Sequence, residues 1–155
     1  MMVYVLRHGT ASRPDPNGPR SLTSHGREEV AKVAQHFKKK GLKVQTLWHS
    51  PKTRALQTAE IFLEVVGKAG IEVEEKKGLK PEGKAQEVFE EICAEKTDAL
   101  LLVSHLPFVA ELAAFLSGGD PDAQVTFPTA GLAAFERKGK TWKWLWSLDP
   151  STLKG

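Results

Sequence analysis

Hydrophobic residues occur in two alternating patterns along the chain. Short continuous apolar runs predict buried strands, and longer segments with apolar residues at helical spacing predict the helices between them. A repeated order of strand and helix is typical of a mostly parallel sheet that helices cover on both faces. The strands are predicted at residues 3–6, 44–48, 71–75, 99–103, 131–137 and 141–148.

Four helices are predicted from their caps and apolar stripes. Ser50 is a good helix cap, and Pro51 then takes the first helical position, where its missing N–H is not needed. The predicted starts are Thr23 or Ser24, Ser50, Gln86 and Pro107. We therefore expect the α/β class: a three-layer α/β/α sandwich with a mostly parallel central sheet and an antiparallel edge hairpin. A single domain over residues 1–155 is expected.

The edge hairpin comprises the last two predicted strands. Lys138-Gly139-Lys140 supplies the turn between them. Trp142, Trp144 and Trp146 alternate along the final strand, so we expect these side chains to pack on one face of the sheet.

Composition and charge exclude several classes of protein. With 155 residues, 41% of them hydrophobic and 26% charged, the chain is average for one soluble domain. No apolar run approaches the roughly 18 residues that span a membrane, and Arg7 and His8 interrupt the N-terminal run, so a cytoplasmic protein without a membrane partner is expected. The net charge of +3 is spread along the chain and does not predict nucleic-acid binding. Cys93 is the only cysteine, and we expect it to be buried.

Arginine and histidine residues follow three of the predicted strands. Arg7 and His8 come directly after the first strand, Arg54 lies in the first turn of the helix after the second, and His105 follows the central apolar strand. The carboxyl ends of parallel strands share one edge of a sheet, where ligands bind. If these three strands are neighbours, the four side chains meet in one crevice.

Such a crevice would suit a phosphoryl group. Arginine offers paired donors that match phosphate oxygens, and a neutral imidazole is a competent nucleophile near neutral pH. Gly9 would let the backbone approach a ligand closely. No glycine-rich nucleotide loop and no histidine pair at zinc-binding spacing is present, so neither a cofactor nor a metal is predicted.

Structural roles stay open for each of these residues taken singly. A lone histidine after a strand is more often a satisfied loop residue than a catalyst, Arg7 could form a salt bridge, and Arg54 could be a solvated helix residue. The remaining histidines carry less signal. We interpret His25 and His36 as helix residues, and His49 as lying close enough to the crevice to support it.

Three segments resemble the motifs of a known family. Leu6-Arg7-His8-Gly9-Thr10 is similar to the signature of the histidine phosphatase superfamily, which includes phosphoglycerate mutases and acid phosphatases. Residues 22–29 resemble its first helix, residues 50–59 its second motif, and Val103-Ser104-His105 its third. The motifs are in order and cover nearly the whole chain. The resemblance implies a phosphoglycerate mutase-like fold.

Within the superfamily, the chain most resembles the small SixA-type phosphohistidine phosphatases. The similarity lies in the short length and in residues 20–23, 79–83 and 104–109. It implies that a phosphorylated protein, such as a phosphotransfer domain of two-component signalling, is the partner. His8 would be the nucleophile that forms a phosphohistidine intermediate, and no cofactor would be needed. The implied phosphate contacts are Arg7, Arg54, His105, Gly9 and Arg20.

A general acid is less clearly implied. Larger members of the superfamily use a carboxylate to protonate an alkoxide leaving group. Glu82 is the nearest candidate, and Glu75 a weaker one, although Glu82 between Pro81 and Gly83 also fits a simple turn. The alternative functions are a small-molecule phosphomonoesterase acting on a phosphosugar or nucleotide, and a catalytically silent phosphate-binding module. A mutase would need a more enclosed site.

Overall fold

A mixed six-stranded sheet forms the middle layer of the computed structural model, which describes residues 1–13 and 18–153. Its spatial order is β3-β2-β4-β1-β5-β6. The first four strands in this order are parallel, β5 runs antiparallel to β1, and β6 runs antiparallel to β5. The strands are β1 (Met2–Arg7), β2 (Thr46–His49), β3 (Glu72–Glu75), β4 (Ala99–Ser104), β5 (Leu132–Lys138) and β6 (Thr141–Leu148).

Helices cover both faces of this sheet. One face carries α1 (Ser24–Lys39) and α2 (Thr53–Val66), and the other carries α3 (Ala85–Ala94) and α4 (Phe108–Leu116). Short 3₁₀ turns lie at Lys77–Leu79 and Pro150–Thr152. The predicted three-layer α/β/α sandwich with an antiparallel edge hairpin is therefore confirmed. No helix in the described part of the chain is long and apolar enough to cross a membrane.

The continuous apolar character of the central strands follows from this layering. Leu6 and Val103 point into the core beneath α1 and α2, whereas Val5 and Leu102 point into the core beneath α3 and α4. All four side chains are fully buried. Because side chains alternate along a strand, β1 and β4 need apolar residues at every position to fill two cores.

The predicted cap at Ser50 is wrong. Helix α2 begins at Thr53, and its cap Lys52 makes no side-chain capping bond. The Ser50 hydroxyl accepts the Lys52 N–H at 3.3 Å, one residue before the helix begins, and it also lies 2.7 Å from His105 Nε2. The prediction at the first helix is confirmed, because the Thr23 hydroxyl accepts the Gly26 N–H at 2.9 Å.

The tryptophans of β6 do not share one face, contrary to the prediction. Trp142 and Trp144 pack in the core beneath α3 and α4, and Trp146 packs against the opposite core. The cause is a bulge: Phe135 pairs with Trp144, but the next pair is Ala134 with Trp146. The extra residue, Leu145, reverses the alternation of side chains beyond it.

Cys93 is exposed, so its predicted burial is also wrong. Helix α3 turns Val88 and Ile92 toward the core. Cys93 follows Ile92 by one residue, which places it about 100° around the helix and away from the buried stripe.

Candidate active site

The carboxyl ends of β1, β4 and β2 place the candidate residues together. Strand β4 lies between the other two, with Ser104 beside Arg7 and Val103 beside His49. His8 and His105, which follow β1 and β4, have ring centroids 5.1 Å apart. Helix α2 leaves the same edge and brings Arg54 close enough to lower the pKa of both histidines. The structure therefore brings Arg7, His8, Arg54 and His105 to one edge of the sheet.

His8 is fixed by its backbone and by one ring nitrogen. Its N–H donates to the Ser104 carbonyl at 3.1 Å, and its carbonyl accepts the Ala130 N–H at 2.9 Å. The ring Nδ1 lies 2.7 Å from the Gly9 carbonyl oxygen. A carbonyl can only accept, so Nδ1 carries the proton and the lone pair is on Nε2. Ala130 adopts this position with a φ of 56°, a left-handed conformation that costs about 1 kcal/mol outside glycine.

The environment keeps the His8 ring neutral. The side chain is only 6% exposed, and its burial lowers the pKa to about 4. The hydrogen bond with Gly9 opposes this shift, whereas the charges of Arg54, Arg7 and Arg20 add to it. Nε2 is therefore unprotonated at neutral pH.

His105 is held through Nε2, whereas His8 is held through Nδ1. Its Nε2 lies 2.7 Å from the Ser50 hydroxyl, which also accepts the Lys52 N–H at 3.3 Å. His105 is 1% exposed, and burial, followed by the charge of Arg54, lowers its pKa to about 3. Its Nδ1 is buried without a hydrogen-bond partner.

The two arginines beside the histidines also have unused donors. Arg7 donates from Nη1 to the Phe127 carbonyl at 2.8 Å. Burial lowers the pKa of both Arg7 and Arg54, and the carboxylate of Glu29 opposes this shift at Arg7. Within residues 1–13 and 18–153, the buried side-chain nitrogens without a partner are Arg7 Nε, Arg54 Nε and His105 Nδ1. All three belong to this site.

Arg20 lies near the same group. Its Nε donates to the Ser12 carbonyl at 2.8 Å, which fixes the guanidinium against the segment after β1. Its positive charge lowers the pKa of Arg7, Arg54 and both site histidines. Arg20 is partly buried and close enough to act electrostatically on all four groups, and we call this partly exposed side the mouth of the site.

Gly9 packs against the first helix. Its N–H donates to the Thr58 hydroxyl at 3.2 Å, and that hydroxyl donates to the Arg54 carbonyl at 2.8 Å. A Cβ at Gly9 would lie 2.6 Å from the Gly26 carbonyl oxygen and 2.9 Å from a Val30 methyl group. The absence of a side chain at Gly9 is therefore required by α1, and its close approach to a ligand stays a prediction.

Glu29 is a site residue that the sequence reasoning missed. Its carboxylate accepts the Thr10 N–H at 2.9 Å and the Thr10 hydroxyl at 2.6 Å. It also accepts the Thr129 hydroxyl at 2.8 Å. Glu29 thus ties the loop after His8 to the segment before β5. In the sequence, Glu29 is indicated only by its position within residues 22–29, which resemble the first helix of the family. Nothing in the sequence indicates Phe127 or Thr129.

The remaining candidates are two exposed carboxylates. Glu82 is exposed beside a turn in which the Gly83 N–H donates to the Lys80 carbonyl at 2.9 Å. Glu75 is exposed at the end of β3. The side-chain charges that act on the pKa of His8 and His105 are all cationic.

The other histidines take up separate positions. His49 is buried, with Nδ1 2.9 Å from the Ser50 carbonyl oxygen. His25 lies 3.6 Å from Glu29 on α1 and is largely exposed, and His36 lies in the last turn of α1. The described ranges contain no group of three or more His, Cys, Asp or Glu side chains that could hold a metal ion.

Known proteins share both the sequence pattern and this fold. The family model described as "Histidine phosphatase superfamily (branch 1)" matches residues 3–81. This chain belongs to the histidine phosphatase superfamily. An uncharacterised protein of Picosynechococcus is 33% identical over 138 residues, which cover 85% of this chain and 82% of that protein.

Among members of the superfamily, SixA is similar in sequence and in structure. Phosphohistidine phosphatase SixA of Escherichia coli is 26% identical, with 99% of this chain and 97% of that protein covered. A structure of the protein histidine phosphatase SixA complexed with tungstate has a TM-score of 0.88 and 28% identity, covering 99% of this chain and 100% of that one. The chain is a SixA homologue, and this homology supports phosphatase activity.

Proposed function

We propose that this histidine phosphatase, a single domain over residues 1–155, hydrolyses phosphohistidine on a protein through a phosphoryl intermediate on His8. The observation that carries the proposal is the set of three buried, unpartnered nitrogens of Arg7, Arg54 and His105 around the free Nε2 of His8. Leaving a buried donor unsatisfied costs about 1–3 kcal/mol. An oxyanion bound beside Nε2 would satisfy all three.

In the first step, the Nε2 lone pair of His8 attacks phosphorus in line with the leaving group. The substrate P–N bond breaks, and its electron pair goes to the imidazole nitrogen of the substrate. Arg7 and Arg54 stabilise the charge spread over the equatorial oxygens. The Ser50 hydroxyl donates its proton to His105 Nε2 in this mechanism, so that His105 donates from Nδ1 to a phosphoryl oxygen.

In the second step, water attacks the phosphorus on His8. The bond between phosphorus and Nε2 breaks, its electron pair returns to the ring, and inorganic phosphate leaves. The Nδ1–H of His8 stays hydrogen-bonded to the Gly9 carbonyl oxygen through both steps, so the ring keeps one orientation. No proton has to be removed from His8 to prepare it for attack, because its pKa of about 4 leaves Nε2 free.

The charges around the site favour a phosphoramidate over an alkyl ester. An alkoxide leaving group needs a proton from a general acid, whereas imidazole is a much weaker base and leaves more readily. The side chains that act electrostatically on His8 and His105 are cationic, and Glu82 is not among them. The homology to SixA, a phosphohistidine phosphatase by name, supports the same substrate class.

The proposal is tested by the ratio of kcat/KM for a phosphohistidine peptide to kcat/KM for p-nitrophenyl phosphate. We expect a ratio well above ten. His8→Ala serves as the blank and should lose at least about 10³-fold in activity, because it removes the nucleophile. His36→Ala, on α1, is the matched control and should keep the wild-type rate, with circular dichroism confirming that both variants are folded.

Two results would contradict the proposal. Substantial activity in a folded His8→Ala protein would exclude His8 as the nucleophile. A ratio near or below one would instead favour the small-molecule phosphomonoesterase, and Glu82 would then be the first residue to test as a general acid.

A further inference from the structure

Lys52 is an exposed cation at the mouth of the site, and the catalytic steps do not use it. It caps α2, and its N–H donates to the Ser50 hydroxyl, the group that also contacts His105. Its ammonium group acts on the pKa of His105. In the described ranges, no carboxylate is paired with Lys52. The charge of Lys52 is therefore available to a substrate that binds at the mouth of the site.

The positive charge at the mouth of the site exceeds the negative charge that a phosphoryl group brings. Arg7, Arg20, Arg54 and Lys52 carry four positive charges, each of which acts on at least one site histidine, and the carboxylate of Glu29 beside Arg7 offsets one of them. A phosphoryl group brings at most about two negative charges. The surplus matches a substrate that carries further anionic groups beside its phosphoryl group.

Two exposed leucines lie in the segments that carry Lys52 and His105. Leu56 is 36% exposed and lies one helical turn after Lys52, to whose carbonyl it donates its N–H at 3.0 Å. Leu106 is 41% exposed and directly follows His105, whose ring contacts the same Ser50 hydroxyl that accepts the Lys52 N–H. A protein segment with apolar side chains can contact these two leucines, whereas a small phosphate ester does not need them.

We propose that Lys52, Leu56 and Leu106 form a docking surface for a protein segment that carries carboxylates and apolar side chains next to its phosphohistidine. This inference rests on the proposed function and adds the chemistry of the partner. Lys52 pairs with a carboxylate of the partner, and the two leucines contact its apolar side chains. Arg7 and Arg54 remain committed to the phosphoryl group.

The test uses two synthetic phosphohistidine peptides of equal length. Both carry a leucine near the phosphohistidine, and they differ only in the flanking residues, which are glutamate in one peptide and glutamine in the other. At low ionic strength, we expect wild-type kcat/KM to favour the glutamate peptide by about threefold to tenfold, since exposed ion pairs are individually weak. This preference should fall to near one in Lys52→Gln.

A matched control is available at the opposite edge of the sheet. Lys39→Gln removes the same charge from an exposed position at the end of α1 and should keep the wild-type preference. Leu106→Ser should raise KM for both peptides by a similar factor and leave kcat and the preference unchanged, because the leucine is common to both peptides. An unaltered KM in Leu106→Ser would overturn the apolar part of the surface.

Three outcomes would overturn the inference. An equal rate on the two peptides, or a preference that survives in Lys52→Gln, would exclude carboxylate recognition by Lys52 while leaving the proposed function intact. If Lys52→Gln slowed free phosphohistidine as much as the glutamate peptide, Lys52 would bind the phosphoryl group itself. If neither peptide nor free phosphohistidine were hydrolysed while p-nitrophenyl phosphate was, the proposed function would fail together with the docking surface.

Discussion

Each site histidine is oriented through the nitrogen that faces away from the proposed phosphoryl group. In His8, Nδ1 donates to the Gly9 carbonyl and leaves a lone pair on Nε2. In His105, the Ser50 hydroxyl contacts Nε2 and leaves Nδ1 buried without a partner. In the proposed mechanism the two rings take opposite roles, His8 as nucleophile and His105 as donor, and this requires both to be neutral Nδ1–H tautomers.

This arrangement predicts an unusual titration of both rings. Burial and the neighbouring arginines lower the pKa of His8 to about 4 and that of His105 to about 3. Because the charged form is disfavoured, both rings should stay neutral down to about pH 5.5, where an unperturbed imidazole is mostly protonated. Long-range ¹H–¹⁵N NMR spectra recorded from about pH 7.5 to about pH 5.5 measure both the charge and the tautomer.

Ser50→Ala supplies the comparison for His105. Without the hydroxyl, Nε2 has no fixed partner, and we expect a mixture of tautomers at His105 with His8 unaffected. Protonation of either wild-type ring near pH 6.5, or an Nε2–H signal from His8, would contradict the assignment of roles.

The positions of Arg7, His8, Arg54 and His105 could be predicted because each follows directly from where a strand ends or a helix begins. Their shared edge is a property of any parallel sheet. Glu29 and Thr129 could not be found in this way. Their contact with Thr10 joins segments about 20 and 120 residues away in the chain, and no local pattern encodes such a pairing.

At the scale of elements, the loop after β1 is fitted tightly onto the start of α1. The Thr10 carbonyl accepts the Thr23 N–H at 3.0 Å, and Gly26 packs directly on the Thr10 backbone. A Cβ at Gly26 would overlap the Thr10 carbonyl oxygen. The helix thereby holds the segment that carries His8 and Gly9.

Gly26→Ala should therefore destabilise the protein, even though alanine favours helices. Because backbone must move to admit the methyl group, we expect a loss of about 1–3 kcal/mol in the free energy of unfolding. Urea unfolding measures this loss. Gly18→Ala is the control, since a Cβ at Gly18 would meet no atom within 4 Å among the residues that the structure describes. Equal stability of the two variants would show that α1 does not pack on Thr10 this closely.

The elements themselves were largely predictable, and the exceptions have tertiary causes. All six strands and four helices follow from the apolar periodicity and occur in the predicted order. The start of α2 differs from the prediction because Ser50 lies two residues before the cap Lys52 and contacts both Lys52 and His105, and the tryptophan face differs because of a bulge at Leu145. Neither a distant side-chain contact nor a bulge leaves a signature in local sequence.

At the scale of the whole molecule, buried side-chain nitrogens without a hydrogen-bond partner are concentrated in the candidate site. The unpartnered buried nitrogens in the described part of the chain belong to Arg7, Arg54 and His105. These residues come from β1, α2 and the end of β4, so one bound anion would connect three elements. Binding energy at this point should consequently stabilise the entire chain.

Tungstate, an oxyanion that mimics phosphate, should raise the melting temperature. At about 100 times its Kd, a ligand adds about 2.7 kcal/mol, which corresponds to a shift of about 5–10 °C for a chain of this size. Differential scanning fluorimetry measures the shift. Arg54→Gln should lose most of it and Lys39→Gln should keep it. An equal shift in Arg54→Gln would place the anion elsewhere.

The central claim is that His8 accepts the phosphoryl group. The most direct measurement is rapid alkaline quenching of the enzyme with a phosphohistidine peptide, followed by mass spectrometry of proteolytic fragments, because alkali preserves phosphohistidine. We expect a phosphoryl adduct on His8 that appears within the first turnover, decays as phosphate is released, and is absent in His8→Ala. Turnover of the peptide without any phosphorylated fragment, or with the adduct on another residue, would contradict the account.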